Sequence, residues 1–237
     1  MSEETIFLIR IVKEAENITR HSYEVHQKDD KGDLVTSLDL EVEKFLIDQI
    51  NQYYPDYTIV SEEFNADGTV HDDCFIIDPI DGTINFANGL PLWGIQIACR
   101  KAGKTIASVI DLPDLQELYH ADETGAYLNG QKIWIQEVPV INAVYSVMGR
   151  NAISGMGNMT GHTRNYRNFG AACAAFAFMA VGRIHGVSFT VDTPWDYEPG
   201  TFLCKMAGAE TKNINGFHAA AMTRELLDIL EKETMIE

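Results

Sequence analysis

Residues 75–91 read FIIDPIDGTINFANGLP. The apolar run Phe75-Ile76-Ile77, with Cys74 before it, has the pattern of a buried strand. It leads directly into Asp78-Pro79-Ile80-Asp81-Gly82-Thr83. Asp, Pro and Gly are turn residues, and an Asp can cap a following helix. A turn is therefore one account of this hexapeptide, and a ligand site at the end of a strand is another. Gly82 lets a backbone approach a ligand closely. Residues 83–87 read as the start of a short helix whose free N–H groups suit an anion.

Further acids follow the same pattern outward from this centre. Glu62 and Glu63 come after the strand-like Tyr57-Thr58-Ile59-Val60. Asp196 follows Pro194-Trp195 and opens a helix, and Asp39 stands at the start of another after Leu34-Val35-Thr36-Ser37-Leu38. Strand ends are where sheet proteins build sites. Singly, Asp39 and Asp196 also suit helix N-caps, and Glu62-Glu63 suits a solvated loop. As a set they repel one another unless a cation compensates. With no His or Cys beside them, the donors are hard oxygens that suit Mg2+ or Mn2+. Carboxylate-held metal and the N–H groups of the helix start would together hold a phosphate, the arrangement for metal-assisted hydrolysis of a phosphomonoester.

The whole chain is consistent with such an enzyme. Its 237 residues are 46% hydrophobic and 22% charged, a globular composition long enough for one large domain or two closely packed ones. The net charge of -17, with no basic patch, argues against a nucleic-acid partner. An acidic protein that binds an anionic substrate needs bound cations. Cys74, Cys99, Cys173 and Cys204 form no CxxC pair, so neither a zinc knuckle nor a redox dithiol is expected, and each reads as a buried free thiol. The N-terminal MSEETIFLIRIVKEAE lacks the basic and apolar regions of a secretion signal. Residues 171–181, the longest apolar run, reach about half a membrane span. The expectation is a soluble cytoplasmic protein with no membrane partner.

Helical periodicity over residues 3–20 predicts a helix, with an extension to about residue 26, ended by the polar 28–32 stretch KDDKG. A second helix is predicted over 38–50, with Leu40, Val42, Phe45, Leu46 and Ile50 inward. Strands are predicted at 57–60, 74–77, 93–100, 105–111, 117–121, 126–128 and 132–135, with turns at Ala102-Gly103 and Asn129-Gly130. Beyond them come a strand at 144–148, a polar Gly-rich loop at 151–161 and a buried helix at 171–181. A strand at 186–191 and helices at 197–207 and 223–232 complete the pattern. Helices, then strands, then mixed elements predict α+β or layered α/β, not a doubly wound series.

Four motifs in order resemble the inositol monophosphatase family of Mg2+-dependent, lithium-sensitive phosphatases. Asp33-Leu34-Val35-Thr36 with Asp39 is similar to its DLVT-x-x-D, and Ser61-Glu62-Glu63 to its SEE. Residues 78–83 match DPIDGT letter for letter. Pro194-Trp195-Asp196 with Gly200 and Ala207-Gly208-Ala209 is similar to the WD-x-x-x-G helix and the segment after it. The resemblance spans roughly residues 5–230. It implies an αβαβα sandwich forming a single domain over 1–237, with an α+β part to about 140 and an α/β part from about 141.

The resemblance also implies roles. Glu62, Asp78 and the Ile80 carbonyl would hold a first Mg2+, Asp78, Asp81 and Asp196 a second, and Glu62 a weaker third, with Mn2+ a substitute. Asp39, Thr83 and Glu62 would orient and deprotonate the attacking water. Asp81, Gly82, Thr83 and Ala172 would contact substrate, a small phosphorylated metabolite. Family members are commonly homodimers. The chain departs from the pattern at Phe189, seven residues before Asp196, where inositol-cleaving members carry a Glu. A Phe cannot accept a hydroxyl proton. Gly170-Ala171-Ala172 also lacks the usual hydroxyl, and Glu198-Pro199 replaces an Ala pair. Substrates open on this reading are inositol phosphate, 3′-phosphoadenosine 5′-phosphate, fructose 1,6-bisphosphate, histidinol phosphate and NADP. Arg164 and Arg167 are candidates for a second phosphate, or lie on a solvated surface. A non-catalytic binding or regulatory protein on the same fold is the alternative from another class.

Overall fold

The Ser2 hydroxyl accepts the Thr5 N–H at 3.1 Å and, with Glu3 and Glu4 in the first turn, starts α1 (Glu3–Ile18). The computed structural model describes residues 1–28, 34–149, 152–214 and 216–235. After α1 come β1 (Val25–Gln27), β2 (Leu34–Thr36), α2 (Ser37–Tyr53), β3 (Thr58–Ser61), β4 (Cys74–Asp81) and the short α3 (Thr83–Ala87). An antiparallel run follows: β5 (Gly94–Lys101), β6 (Lys104–Leu112), β7 (Glu117–Asp122), β8 (Gly125–Leu128) and β9 (Gln131–Ile133). The remainder is β10 (Val144–Gly149), α4 (Ala152–Met159), β11 (Asn165–Tyr166), α5 (Ala172–Ala180), β12 (Gly186–Thr190), α6 (Pro194–Met206), β13 (Glu210–Ile214), β14 (Phe217–Ala221) and α7 (Arg224–Thr234).

Two sheets carry the fold. The first runs β3-β4-β5-β6-β7-β8-β9, with β3 and β4 parallel and the other pairs antiparallel. The second runs β11-β10-β12-β14-β13 and mixes parallel with antiparallel pairs. Leu8, Ile11 and Val12 of α1 and Val42, Leu46 and Ile50 of α2 pack with Phe75, Ile77, Ile95 and Ile97 on one face of the first sheet. Between the sheets lie α5 and α6. All nine residues of α5 are buried, which is why it has no polar face. Gly200 lets α6 cross α5 closely, since a Cβ there would collide with the Phe176 ring. α4 and α7 cover the outer face of the second sheet. The order of layers is therefore α, β, α, β, α, as the resemblance implies.

Several expectations are corrected. The first helix stops at Ile18, and Val25–Gln27 pairs with β2 as a strand. Leu40 does not face inward; it is 40% exposed, and Leu38 takes the buried place beside Ile80, Phe86 and Trp93. The Gly-rich segment expected as a loop forms α4. Gly155 lies where a Cβ would meet Thr234 of α7 at 2.9 Å, so small residues admit close helix packing there. β13 and β14 have no counterpart among the predicted strands. The four cysteines are buried and free, as expected. Among the described residues no helix is long and apolar enough to cross a membrane. Asp33, Asn151 and most of the 28–32 break lie outside the described residues.

Candidate active site

β4 is buried along its whole length and ends in the DPID sequence. Its pairing with β5 shifts register between Asp78 and Asp81, the mark of a bulge that re-aims side chains at the end of the strand. Asp81 Oδ2 accepts the N–H of Cys173 at 2.5 Å. Ala171, the N-cap of α5, has no side chain able to do this, so Asp81 caps α5 from another element. Burial pushes the Asp81 carboxyl up, and hydrogen bonds from Cys173, Ala172 and Gly82 pull against it. Asp78 is fully buried, and among the described residues neither of its oxygens has a hydrogen-bond partner. Burial first, then the carboxylates of Glu62, Asp81, Asp196 and Asp39, push Asp78 well above the usual carboxylate range.

Asp196 comes from another element, the first turn of α6. Pro194 starts that helix with a preset φ, and the Thr193 hydroxyl donates to Asp196 Oδ2. Asp78, Asp81 and Asp196 each offer one oxygen, and these oxygens lie within 4.8 Å of one another.

The remaining acids flank this cluster. Asp39 is the N3 residue of α2 and not its N-cap. Its Oδ2 accepts the N–H of the N-cap Thr36 at 2.8 Å, closing a capping box. Asp39 Oδ1 accepts from Thr83 Oγ1 at 3.2 Å, and Thr83 Oγ1 also lies 3.0 Å from the Ile80 carbonyl. Burial pushes Asp39 up to about 6. Glu62 pairs with Lys28 Nζ at 3.1 Å, and Glu63 with the same nitrogen at 2.7 Å. Burial holds Glu62 at about 7 despite the lysine. Glu43 of α2 fixes this loop by accepting from Ser61 Oγ, Glu63 N and Phe64 N at 2.5, 2.8 and 2.7 Å.

A cavity of about 500 Å³ is lined by Lys28, Glu62, Asp78, Ile80, Asp81, Gly82, Thr83 and Asp196 among others. Ala172 lines an adjoining cavity of about 320 Å³ that shares Asp81 and Asp196. The structure thus gathers Glu62, Asp78, Ile80, Asp81, Gly82, Thr83 and Asp196 around one opening, with Asp39 behind Thr83. Gly82 takes φ 84°, and a Cβ there would lie 2.8 Å from Ala171 Cβ, so the turn requires glycine. Arg164 and Arg167 line neither cavity, and Arg167 Nη1 donates to the Tyr166 carbonyl at 2.6 Å.

Sequence reasoning missed Lys28 as the charge partner of Glu62, and Glu43 as the anchor of the Ser61-Glu62-Glu63 loop. A Glu beside Val42 on the buried face of α2 was the available signal for Glu43.

The donors favour a hard cation. They are carboxylate and carbonyl oxygens, without nitrogen or sulfur, and the buried Asp78 carboxylate has no protein partner to satisfy it. The cluster could hold Mg2+ or a similar ion.

A model of the inositol monophosphatase family matches residues 3–233. The fructose-1,6-bisphosphatase/inositol-1-monophosphatase of Thermotoga maritima is 31% identical over 207 residues, covering 86% of this chain and 80% of that protein. Nus factor SuhB of Escherichia coli K12 is 30% identical over 235 residues, covering 92% of this chain and 88% of the relative. A solved inositol monophosphatase from Thermotoga maritima superposes with a TM-score of 0.87 at 27% identity, covering 97% of this chain and 96% of the other. Sequence likeness along nearly the whole chain and a shared fold agree: the chain belongs to the inositol monophosphatase family.

Proposed function

We propose that the chain is a Mg2+-dependent phosphomonoesterase that hydrolyses a small phosphorylated metabolite. The observation that carries this reading is Asp78, a buried carboxylate with both oxygens unpartnered, grouped with Asp81 and Asp196. Such a group is stable in its charged form only beside a cation. Asp78, Asp81, Asp196, Glu62 and the Ile80 carbonyl would hold the metal, with Mn2+ as a substitute. When bound, Mg2+ neutralises phosphate charge and lowers the pKa of water for in-line attack.

The chain's own residues supply the rest. Thr83 Oγ1 has one proton and two acceptors, the Ile80 carbonyl at 3.0 Å and Asp39 Oδ1 at 3.2 Å. With the Ile80 carbonyl engaged by a metal the proton goes to Asp39, which leaves the hydroxyl lone pairs to receive a proton from the attacking water. With a pKa near 6, Asp39 is mostly ionised at neutral pH and accepts the proton passed through Thr83. The Gly82 turn and the first N–H groups of α3 would hold phosphate oxygens. A protein of net charge -17 otherwise repels such a substrate, which makes the cation necessary for binding as well as for chemistry.

The test is release of inorganic phosphate from a panel of monoesters, with Mg2+ and with a chelator. Metal-dependent release from at least one ester is expected. No release across the panel, with Mg2+ binding shown by calorimetry, would favour a binding or regulatory protein on this fold.

A further inference from the structure

Beside the acidic cluster the site has a wall unsuited to a polyol. The smaller cavity is reached past Asp81 and Asp196, and its other side chains are Met148, Asn168, Ala171, Ala172 and Phe189. Asn168 is the single polar side chain in that group; its Oδ1 accepts the Gly170 N–H at 2.9 Å, so only its amide NH2 is left to meet ligand hydroxyls, fewer than a polyol brings. Phe189 lies on β12 in register with Met148 on one side and His218 on the other, and is 8% exposed. Its accessible edge belongs to both cavities. A residue held between two paired strands forms a wall that exists before any ligand arrives.

Charge narrows the occupant further. Lys28 is the single cation among the described residues lining either cavity, and it is already paired, with Glu63 at 2.7 Å and, while no metal engages Glu62, with Glu62 at 3.1 Å. Among the described residues lining the two cavities, no other side chain meets a second phosphate. A polyol would bring several hydroxyls against Met148, Ala171, Ala172 and Phe189, and each buried unpaired hydroxyl weakens binding by about tenfold or more. A flat apolar group brings no hydroxyl of its own to be left unpaired and gains contact with the Phe189 ring.

We propose that the site takes monophosphate esters of a flat, hydroxyl-poor leaving group, packed against Phe189 and Met148, in preference to polyol phosphates. The proposal rests on the phosphomonoesterase reading and adds the substrate class. Phe189 is its specificity-determining residue.

The test compares kcat/KM for benzyl phosphate and inositol 1-phosphate in saturating Mg2+. Both esters release an alkoxide, so leaving-group reactivity does not decide the outcome. The expected preference for benzyl phosphate is about tenfold or more, the scale of one buried aromatic contact. Phe189→Ala should collapse the ratio toward one. Phe189→Leu, which keeps the core filled, should lower it without threatening the fold. A wild-type ratio of one or less, or a ratio unmoved in the folded variants, overturns the inference alone. Turnover of neither ester, while other monoesters of the panel release phosphate with Mg2+, also overturns the inference alone. No release across the whole panel removes the phosphomonoesterase reading, and the inference with it.

Discussion

The Thr83 hydroxyl donates to Asp39 Oδ1 at 3.2 Å and joins the start of α3 to the first turn of α2. If this pair carries the proton of the attacking water, Thr83→Val should lower kcat by about 10²–10⁴-fold, the usual worth of a positioned base. Mg2+ affinity by calorimetry should stay near wild type, because Thr83 supplies no carboxylate. Thr83→Ser keeps the hydroxyl and should keep most of kcat. A Val variant as fast as wild type would remove the pair from the mechanism.

Asp81 has two tasks that two substitutions separate. Asp81→Asn keeps an oxygen to accept the Cys173 N–H but loses the charge. It should lower kcat/KM by about a hundredfold or more and leave the metal-free protein at least as stable. Asp81→Ala also loses the cap and should be about 1 kcal/mol less stable than the Asn variant. Equal urea midpoints for the two variants would show that Asp81 does not cap α5.

The raised carboxylates predict how Mg2+ stabilisation varies with pH. Folding raises Asp39 from 3.8 to about 6 and Glu62 from 4.5 to about 7. The folded, metal-free protein therefore holds protons that the unfolded chain has released. Their contribution to stability is complete below about pH 4 and is lost as pH rises toward 7. His120, His185 and His218, which burial lowers, give the opposite slope, but equally with and without metal. The difference in Tm between Mg2+ and chelator isolates the carboxylates. It should be small at pH 5 and grow steadily to pH 7.5, as Mg2+ no longer has to displace protons. A Tm difference independent of pH would contradict the placement of Mg2+ on Glu62 and close to Asp39.

Much of this arrangement was legible before the fold was known, for physical reasons. β4 is buried on both faces, so Phe75-Ile76-Ile77 stands out as an apolar run, and the acids after it mark its end. Asp39, Glu62 and Asp196 share that grammar. What escaped notice depends on distant partners. Lys28 acquires its role from Glu62 and Glu63, more than thirty residues away in sequence. Glu43 is legible only once Ser61 and the loop after it fold against α2. The Ala-rich Phe217–Ala221 is a strand because β12 and β13 pair with it on both sides, against its local propensity. The segment of α4 carries glycines that suggest a loop, until Thr234 and Val147 are seen to need the space. Leu40 is apolar yet points outward, because Leu38, Val42, Leu46 and Ile50 recur every four residues on the buried face of α2 and Leu40 falls two residues out of step with them.

Calorimetric titration of Mg2+ into the wild-type protein and into Asp78→Asn tests the central claim most directly. Asp78 is buried, unpartnered and surrounded by carboxylates, so a bound cation is what its position requires. The wild type should bind Mg2+ and release phosphate from a monoester. Asp78→Asn should lose both while its metal-free Tm stays level or rises, since a buried carboxyl has been replaced by a neutral amide. Wild-type Mg2+ affinity and turnover in a folded Asp78→Asn protein would contradict the account.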